Sequence, residues 1–417
     1  MVLLTSDFSI ALISITAFLV VILLLVLILL YARAKLTPQG DVKVSINDRE
    51  FSVKPGSTVL STLSTQNIFL PSACGGGGTC GMCKCQVLEG GGTILPTETG
   101  FFTRREQQDN WRLGCQVKIR EDIKIKVHEE IMGIKKWECE VVSNKNVATF
   151  IKEFVVKLPE GENLNFKSGG YIQIDVPKIE VNFKDMVVEE KFRDEWDKFN
   201  MWDLKMKNPE ETFRAYSMAN HPAEGNIIKL NIRIATPPWN REKGAFQNVN
   251  PGICSSYVFS RKPGDKVVIS GPYGEFFIKE TQREMMYIGG GAGMAPLRSH
   301  LFHLFHTEGT DRKVSFWYGA RSKREVFYED EFRKIENKHK NFKFNLALSE
   351  PLKEDNWDGY TGFIHQVLYD NYLSKHEEPE EIEYYLCGPP MMIDAVLKML
   401  DDLGVPEEMI AFDDFGG

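Results

Sequence analysis

The 417-residue chain contains no internal repeat and no low-complexity tract, so neither a solenoid nor a disordered array organises it. It has no excess of positive charge, since 50 Lys and Arg stand against 58 Asp and Glu for a net charge of -8. That balance argues against a nucleic-acid partner and against a basic membrane-adhering surface. No Lys or Arg comes before Arg33. A cleaved signal peptide opens on basic residues ahead of a shorter apolar core, so none is read here, although Ala32-Arg33-Ala34 imitates a cleavage site. No second C-x2-4-C pair answers the first, as structural zinc usually requires, because Cys115 stands alone in Leu113-Gly114-Cys115-Gln116. The eight histidines fall in no pattern that assigns them chemistry. The apolar and charged fractions, 43% and 26%, are those of ordinary globular domains.

What is present begins with Phe8 to Tyr31, an uncharged run of 24 residues. As a helix rising 1.5 Å per residue it is long enough to cross a bilayer core of about 30 Å. Arg33 and Lys35 follow at once, so the positive-inside rule is expected to keep the bulk of the chain in the cytoplasm. Reduced thiols suit that compartment.

Three cysteines share one glycine-rich loop, Cys74-Gly-Gly-Gly-Gly-Thr-Cys80-Gly-Met-Cys83, and Cys115 follows beyond the next stretch of chain. A 2Fe-2S cluster asks for this: two thiolates per iron, and a sharply bent loop that turns backbone N–H groups toward sulfur. Cys85, two residues past Cys83, could replace it as a ligand. If it does not, it is a small packed residue on the following strand. Cys139 reads as core.

The patterns divide the remaining chain, about 380 residues, into two or three domains. Val42 to Val53 alternates around Asn47-Asp48-Arg49 as a hairpin, Ser57 to Thr65 reads as a short helix, and Gln116 to His128 alternates again as a strand. From Trp137 to Ile278, short strands and turns such as Lys262-Pro263-Gly264-Asp265 suggest an antiparallel barrel. The charged stretch 178–212 interrupts it as an insertion, either a plain solvated loop or a docking surface. Beyond Met285, four apolar strands at 285–288, 314–318, 342–347 and 383–386 alternate with helices, which implies a parallel α/β sheet.

Ile288-Gly289-Gly290-Gly291-Ala292-Gly293-Met294-Ala295-Pro296 follows a strand and opens a helix. Glycine lets backbone approach a pyrophosphate at the positive end of that helix. Pro296 takes the place of the last glycine of the usual dehydrogenase fingerprint. Within the barrel, Arg214-Ala215-Tyr216-Ser217 offers a cation, an aromatic face and a hydroxyl, and Gly252-Ile253-Cys254-Ser255 offers a second anion-binding turn.

The order of these motifs, continuing through Gly271-Pro272-Tyr273-Gly274, Trp317-Tyr318-Gly319-Ala320-Arg321 and Cys387-Gly388-Pro389-Pro390-Met391, resembles the ferredoxin-NADP reductase family. The resemblance implies FAD on Arg214, Tyr216, Ser217, Gly252, Cys254, Ser255 and Gly274, with Phe415 as candidate cover for the flavin. It implies nicotinamide nucleotide on Gly289, Gly290, Gly291, Ala292, Gly293, Pro296, Gly319, Arg321 and Gly388, with Cys387 and Ser217 beside the reacting atoms. The C-x5-C-x2-C spacing is similar to that of vertebrate and bacterial relatives of plant-type ferredoxins, and this picks Cys74, Cys80, Cys83 and Cys115 as the cluster ligands. With the apolar helix in front, the whole resembles the family of F subunits of sodium-translocating NADH:quinone oxidoreductases, down to the final Asp-Asp-Phe-Gly-Gly.

That resemblance implies four parts: a transmembrane helix (1–36), an α+β ferredoxin-like β-grasp domain (37–130), an antiparallel β-barrel FAD domain (131–280) and an α/β parallel-sheet NADH domain (281–417). It implies an electron-input component of a bacterial inner membrane complex, with FAD, a 2Fe-2S cluster and NADH, that serves membrane partner subunits and, through them, ubiquinone. NADH yields two electrons as a hydride whereas the cluster takes one, so a flavin must stand between them. One helix cannot line an ion path, so partner subunits would carry sodium. The alternatives are a reductase component of an oxygenase and a membrane-anchored redox carrier or sensor. No acidic residue closes the second strand of the nucleotide domain; Arg321, Lys323 and Arg324 follow it and could grip a 2′-phosphate.

Overall fold

Straight-chain and branched apolar residues without a breaker carry helix α1 over Val2–Leu36. The computed structural model describes residues 2–36 and 40–413, with side chains in α1 from Leu12 to Ala32. Leu12–Ala32 forms a 21-residue span whose apolar side chains are exposed all round. By length and composition this helix is long and apolar enough to cross a membrane.

The chain divides into two compact units, residues 1–66 with 83–129, and residues 67–82 with 130–417. In the first, strands β1 (Val42–Ile46), β2 (Arg49–Val53), β3 (Lys84–Glu89), β4 (Trp111–Leu113) and β5 (Ile123–Lys126) form one sheet in the order β2-β1-β5-β3-β4. The β1–β5 pair is parallel and the others antiparallel. Asn47 makes the predicted hairpin turn at φ 46°, and its carboxamide brackets Val127 through both N–H and C=O. Helix α2 (Val59–Thr65) starts where Thr58 caps it, as expected, and α3 (Arg104–Gln108) carries a Thr103–Glu106 capping box. The strand expected over 116–128 is shorter. Val117 and Ile119 are buried as their alternation implies, but their backbone groups bond to Ser57 and Val59, so the ladder begins only at Ile123.

In the second unit, β6 (Lys135–Ala148), β7 (Ile151–Lys157), β8 (Tyr171–Val176), β11 (Thr212–Ser217), β12 (Ile227–Arg233) and β15 (Lys266–Tyr273) form an antiparallel sheet in the order β11-β8-β15-β6-β7-β12. The Met218–Leu230 bridge and the Ala219 N–H to Lys229 C=O bond (2.7 Å) join its two ends and close the barrel. The insertion is a folded element and not a plain solvated loop. Strands β9 (Ile179–Asn182) and β10 (Lys205–Asn208) pair, helix α4 (Arg193–Lys198) lies between them in sequence, and Phe183, Phe192, Trp196 and Met206 are fully buried in the barrel's core. Its charges are the outer face of a folded element. A short hairpin, β13 (Trp239–Asn240) with β14 (Ala245–Phe246), and helix α5 (Ile253–Ser260) complete the barrel region.

The remaining strands, β16 (Met285–Gly290), β17 (Val314–Ala320), β18 (Phe342–Leu348), β19 (Tyr360–Thr361), β20 (Glu383–Cys387) and β21 (Ile410–Asp413), form an all-parallel sheet in the order β19-β18-β17-β16-β20-β21. Helices α6 (Met294–His303), α7 (Glu329–Lys338), α8 (Ile364–Asn371) and α9 (Pro390–Asp402) alternate with them. Every residue of β16 and β20 is buried, as parallel strands covered on both faces must be.

Candidate active site

The strand order reverses between β16 and β20, and in open α/β sheets ligands settle at such a switch point, beyond the carboxyl ends of the strands. The expected residues meet there. Gly289 stands opposite Cys387 in the β16–β20 register, and Cys387 is fully buried. A methyl group on Gly293 would lie 2.1 Å from the Cys387 carbonyl oxygen, and one on Gly388 would lie 3.1 Å from the Gly290 nitrogen. The two chain segments approach as closely as backbone can, and Gly293 caps α6. Gly291 alone of the run turns through positive φ (56°), and the Tyr318 hydroxyl holds its carbonyl at 3.2 Å. Pro296 occupies the first turn of α6, where the absent N–H costs no hydrogen bond. Gly319 and Arg321 end β17 and begin the loop after it.

On the barrel, Arg214, Tyr216 and Ser217 belong to β11. Arg214 donates through Nη1 to the Phe213 carbonyl (2.7 Å) and to Thr212 Oγ1 (3.1 Å). Burial, with Cys254 beside it, pushes the Tyr216 phenol well above its usual range, and burial likewise pushes the Cys254 thiol up to about 12. Gly252 caps α5; a methyl group there would sit 2.5 Å from the Ala235 Cβ. Ser255 Oγ donates to the Gly252 carbonyl (3.2 Å) and accepts from the Ala235 N–H (3.1 Å), so it fastens this turn. At Gly274 a methyl group would meet the Phe277 ring at 2.7 Å. Ser217 Oγ donates to Asp413 Oδ2 at 2.6 Å. Sequence reasoning missed Asp413: its only signal was a place in the C-terminal motif. Phe415 lies outside the described residues.

The cysteines fall in two groups. Cys74 and Cys80, in the second unit, have their sulfurs 3.3 Å apart. The Cys80 thiol donates to Cys74 and lowers its pKa against the effect of burial, helped by the backbone N–H groups of Thr79 and Cys80, while the pKa of Cys80 is raised. In the first unit, the Cys115 N–H donates to Cys83 Sγ at 3.4 Å. Backbone amides aimed at sulfur are the environment an iron-sulfur thiolate needs, and on this count the residues fit such a centre. Among the described residues no three ligand-type side chains surround a single ion-sized point. Cys85 is fully buried on β3, and burial pushes its thiol up to about 12; Cys139 sits in the barrel core. The loop carrying Cys74 and Cys80 packs on the barrel: the buried Gln173 of β8 donates to the Leu70 and Ser72 carbonyls (3.5 and 3.3 Å). A methyl group on Gly75 would meet Arg214 Nη1 at 2.3 Å.

Comparisons with known proteins agree with this layout. Residues 42–120 match the 2Fe-2S iron-sulfur cluster binding domain, 198–278 the oxidoreductase FAD-binding domain and 287–398 the oxidoreductase NAD-binding domain. Over 405 residues the chain is 53% identical to the F subunit of the Na(+)-translocating NADH-quinone reductase of Marinomonas sp. (strain MWYL1), covering 97% of this chain and 98% of that protein. The protein of the same name from Methylococcus capsulatus is 54% identical over 401 residues, 96% and 98% of the two chains. Among solved structures, the ferredoxin reductase in carbazole 1,9a-dioxygenase superposes with a TM-score of 0.57 at 26% identity, over 90% of this chain and 99% of that one. The Amycolatopsis cytochrome P450 reductase GcoB shares the fold, with a TM-score of 0.59 at 22% identity over 90% and 98% of the two chains.

Proposed function

This chain belongs to the family of F subunits of the Na(+)-translocating NADH-quinone reductase, and on that premise we propose how its own residues divide the work. It is the electron-input subunit, an oxidoreductase with FAD, 2Fe-2S and NADH-binding domains. When bound, FAD accepts the hydride of NADH and releases electrons singly, and the 2Fe-2S centre accepts them one at a time. Gly289, Gly290, Gly291, Ala292, Gly293 and Pro296 receive the pyrophosphate of NADH at the start of α6, and Gly319, Arg321 and Gly388 border the same crevice. Cys387 lines the nicotinamide pocket. Arg214 neutralises an FAD phosphate, Gly252, Cys254 and Ser255 present the second anion-binding turn at α5, Gly274 keeps room for the cofactor, and the Tyr216 ring packs against the flavin. Ser217, held by Asp413, supplies the hydroxyl near the hydride acceptor. Cys74, Cys80, Cys83 and Cys115 hold the irons. No general acid and base pair is required, because the chemistry belongs to the bound groups and the chain positions and tunes them.

The domains divide at 36, 130 and 280. The apolar helix and the family fit a membrane-anchored protein. Arg33 and Lys35 beside that helix favour a cytoplasmic location for the bulk of the chain, at the inner membrane. Sodium is then carried by the partner subunits, since one helix lines no polar route for it, and the family likeness puts quinone reduction in those subunits too.

One observation carries the reading. The 3% of the chain left unmatched by the Marinomonas relative is shorter than the apolar helix, so the likeness reaches into the membrane anchor as well as the three soluble domains. The test is to purify the intact chain, add NADH and follow ferricyanide reduction with cycles of flavin bleaching and recovery. Absence of turnover would leave a redox carrier or sensor. The likeness to the carbazole dioxygenase ferredoxin reductase favours a second reading, an oxygenase reductase. Co-purification with polytopic membrane subunits decides against it, and their absence decides for it.

A further inference from the structure

The loop after β17 carries Arg321, Lys323 and Arg324, cations placed where a coenzyme's 2′-phosphate is commonly gripped. The insertion meets them. Arg321 Nη2 donates to Glu195 Oε1 at 2.9 Å; Arg324 donates through Nη1 to Asp194 Oδ2 at 2.7 Å and through Nη2 to Glu195 Oε1 at 3.2 Å. Glu325 Oε1 lies 3.6 Å from both guanidinium groups, and Glu325 is itself anchored by the Thr149 N–H and hydroxyl. Asp194 and Glu195 sit in the first turn of α4, whose Trp196 is fully buried and donates its indole N–H to the Thr149 carbonyl at 2.9 Å. The acidic turn is therefore fixed by the barrel core rather than free to swing aside.

We propose that Asp194 and Glu195 are specificity-determining residues: by occupying Arg321 and Arg324 they withhold those cations from a 2′-phosphate and turn the crevice toward NADH. This deepens, and rests on, the reading of the crevice as the NADH site. The ribose hydroxyl of NADH makes no demand on the arginines. The phosphate of NADPH, with a charge of about -2, would have to displace one carboxylate and lie beside another.

The test uses the intact chain with Asp194→Asn and Glu195→Gln combined, assayed with NADH and with NADPH against ferricyanide. Calorimetric titration with 2′,5′-ADP and with 5′-AMP supplies a readout independent of turnover. The expected result is a rise in kcat/KM for NADPH on the order of tenfold, carried by KM, and tighter 2′,5′-ADP binding, with NADH and 5′-AMP within about threefold of the unsubstituted chain, since removing like charge from a site relieves rejection of the wrong ligand. Adding Arg324→Ala should cancel the gain. An unmoved NADPH to NADH ratio with unchanged 2′,5′-ADP affinity in a variant that still oxidises NADH would overturn the inference, as would a gain that survives loss of Arg324. Failure of the unsubstituted chain to oxidise NADH or to bind 5′-AMP would instead overturn the NADH site itself.

Discussion

The loop at 74–83 and the turn at 289–293 are the two most glycine-rich segments of the chain, and they use glycine for different reasons. In the cysteine loop the need is conformational: Gly75 and Gly76 sit at φ 65° and 90°, which bends the backbone sharply between Cys74 and Cys80. In the β16–α6 turn only Gly291 is left-handed, and the need at its neighbours is clearance. A methyl group on Gly289 would lie 2.6 Å from Leu297 Cδ1, one on Gly290 3.0 Å from Met392 Sδ, and one on Gly293 2.1 Å from the Cys387 carbonyl oxygen. Richness in glycine thus serves two demands, chiefly torsion in the first segment and space in the second. They should fail differently when broken.

The sharpest way to break the first half of the comparison is to remove a sulfur, because the bends matter only through the thiols they aim. Cys83→Ser should abolish the visible absorption and paramagnetic signal of the cluster and lower iron content to background, whereas Cys85→Ser, in the packed interior of its strand, should keep most of both. The reverse pattern would transfer the ligand role to Cys85. Next in size is Gly293→Ala. Its obstacle is a backbone carbonyl that cannot rotate away, so α6 must shift against β20. A displacement of roughly 1 Å at a positioning element costs on the order of 100-fold in rate, with FAD and iron content retained. Gly133→Ala, where a methyl group meets nothing within 4 Å, is the matched control and should stay within about twofold of the unsubstituted chain. If the two variants lose activity equally, clearance is not what the turn requires. Gly75→Ala should fall between these limits: the left-handed conformation costs about 1 kcal/mol, and the methyl group would meet the movable end of Arg214 at 2.3 Å and the Phe213 carbonyl oxygen at 2.7 Å. Equilibrium dialysis should show weaker FAD binding, and unchanged affinity would disconnect the loop from Arg214.

This contrast also explains how much could be read from sequence. The hairpin at Asn47, the closed barrel, the parallel sheet and its glycine turn all announced themselves, because each depends on local chemistry: alternation, turn residues, a strand before a helix. The family resemblance then ordered them. Less legible were features set by distant partners. Gln173 reads as an unremarkable strand residue, yet its buried amide holds the loop that carries Cys74 and Cys80. The stretch 178–212 looked like solvated chain because charges outnumber its anchors, but a few large side chains, Trp196 above all, suffice to fold it on the barrel. The strand expected from 116 was overstated because alternation reports burial and is blind to where amides bond. No spacing in the sequence joins Ser217 to Asp413, or Glu195 to Arg321.

The last effect is on stability rather than on chemistry and concerns the other end of the clearance turn. If α6 must hold its place against β20, something must fix its far side, and Arg298 does so, donating to the Ala219 carbonyl (2.8 Å), Glu224 (2.7 Å) and Glu331 (2.8 Å). Burial pushes the Glu224 carboxyl up, but hydrogen bonds from His221 and Arg298 outweigh it and hold the group at about 2. A carboxylate whose pKa is depressed on folding contributes stability above its unfolded value, near 4.5, and loses it as pH falls toward the folded value. The shift corresponds to about 3 kcal/mol at most, fully present at pH 6 and largely gone near pH 2. Glu224→Gln should therefore lower the urea midpoint at pH 6, and the two midpoints should converge as the solution is acidified from pH 5 toward 3. A gap that stays constant over that range would mean that Glu224 acts through packing alone, and that the carboxylate is not what secures Arg298 and, through it, the helix on which the glycine turn depends.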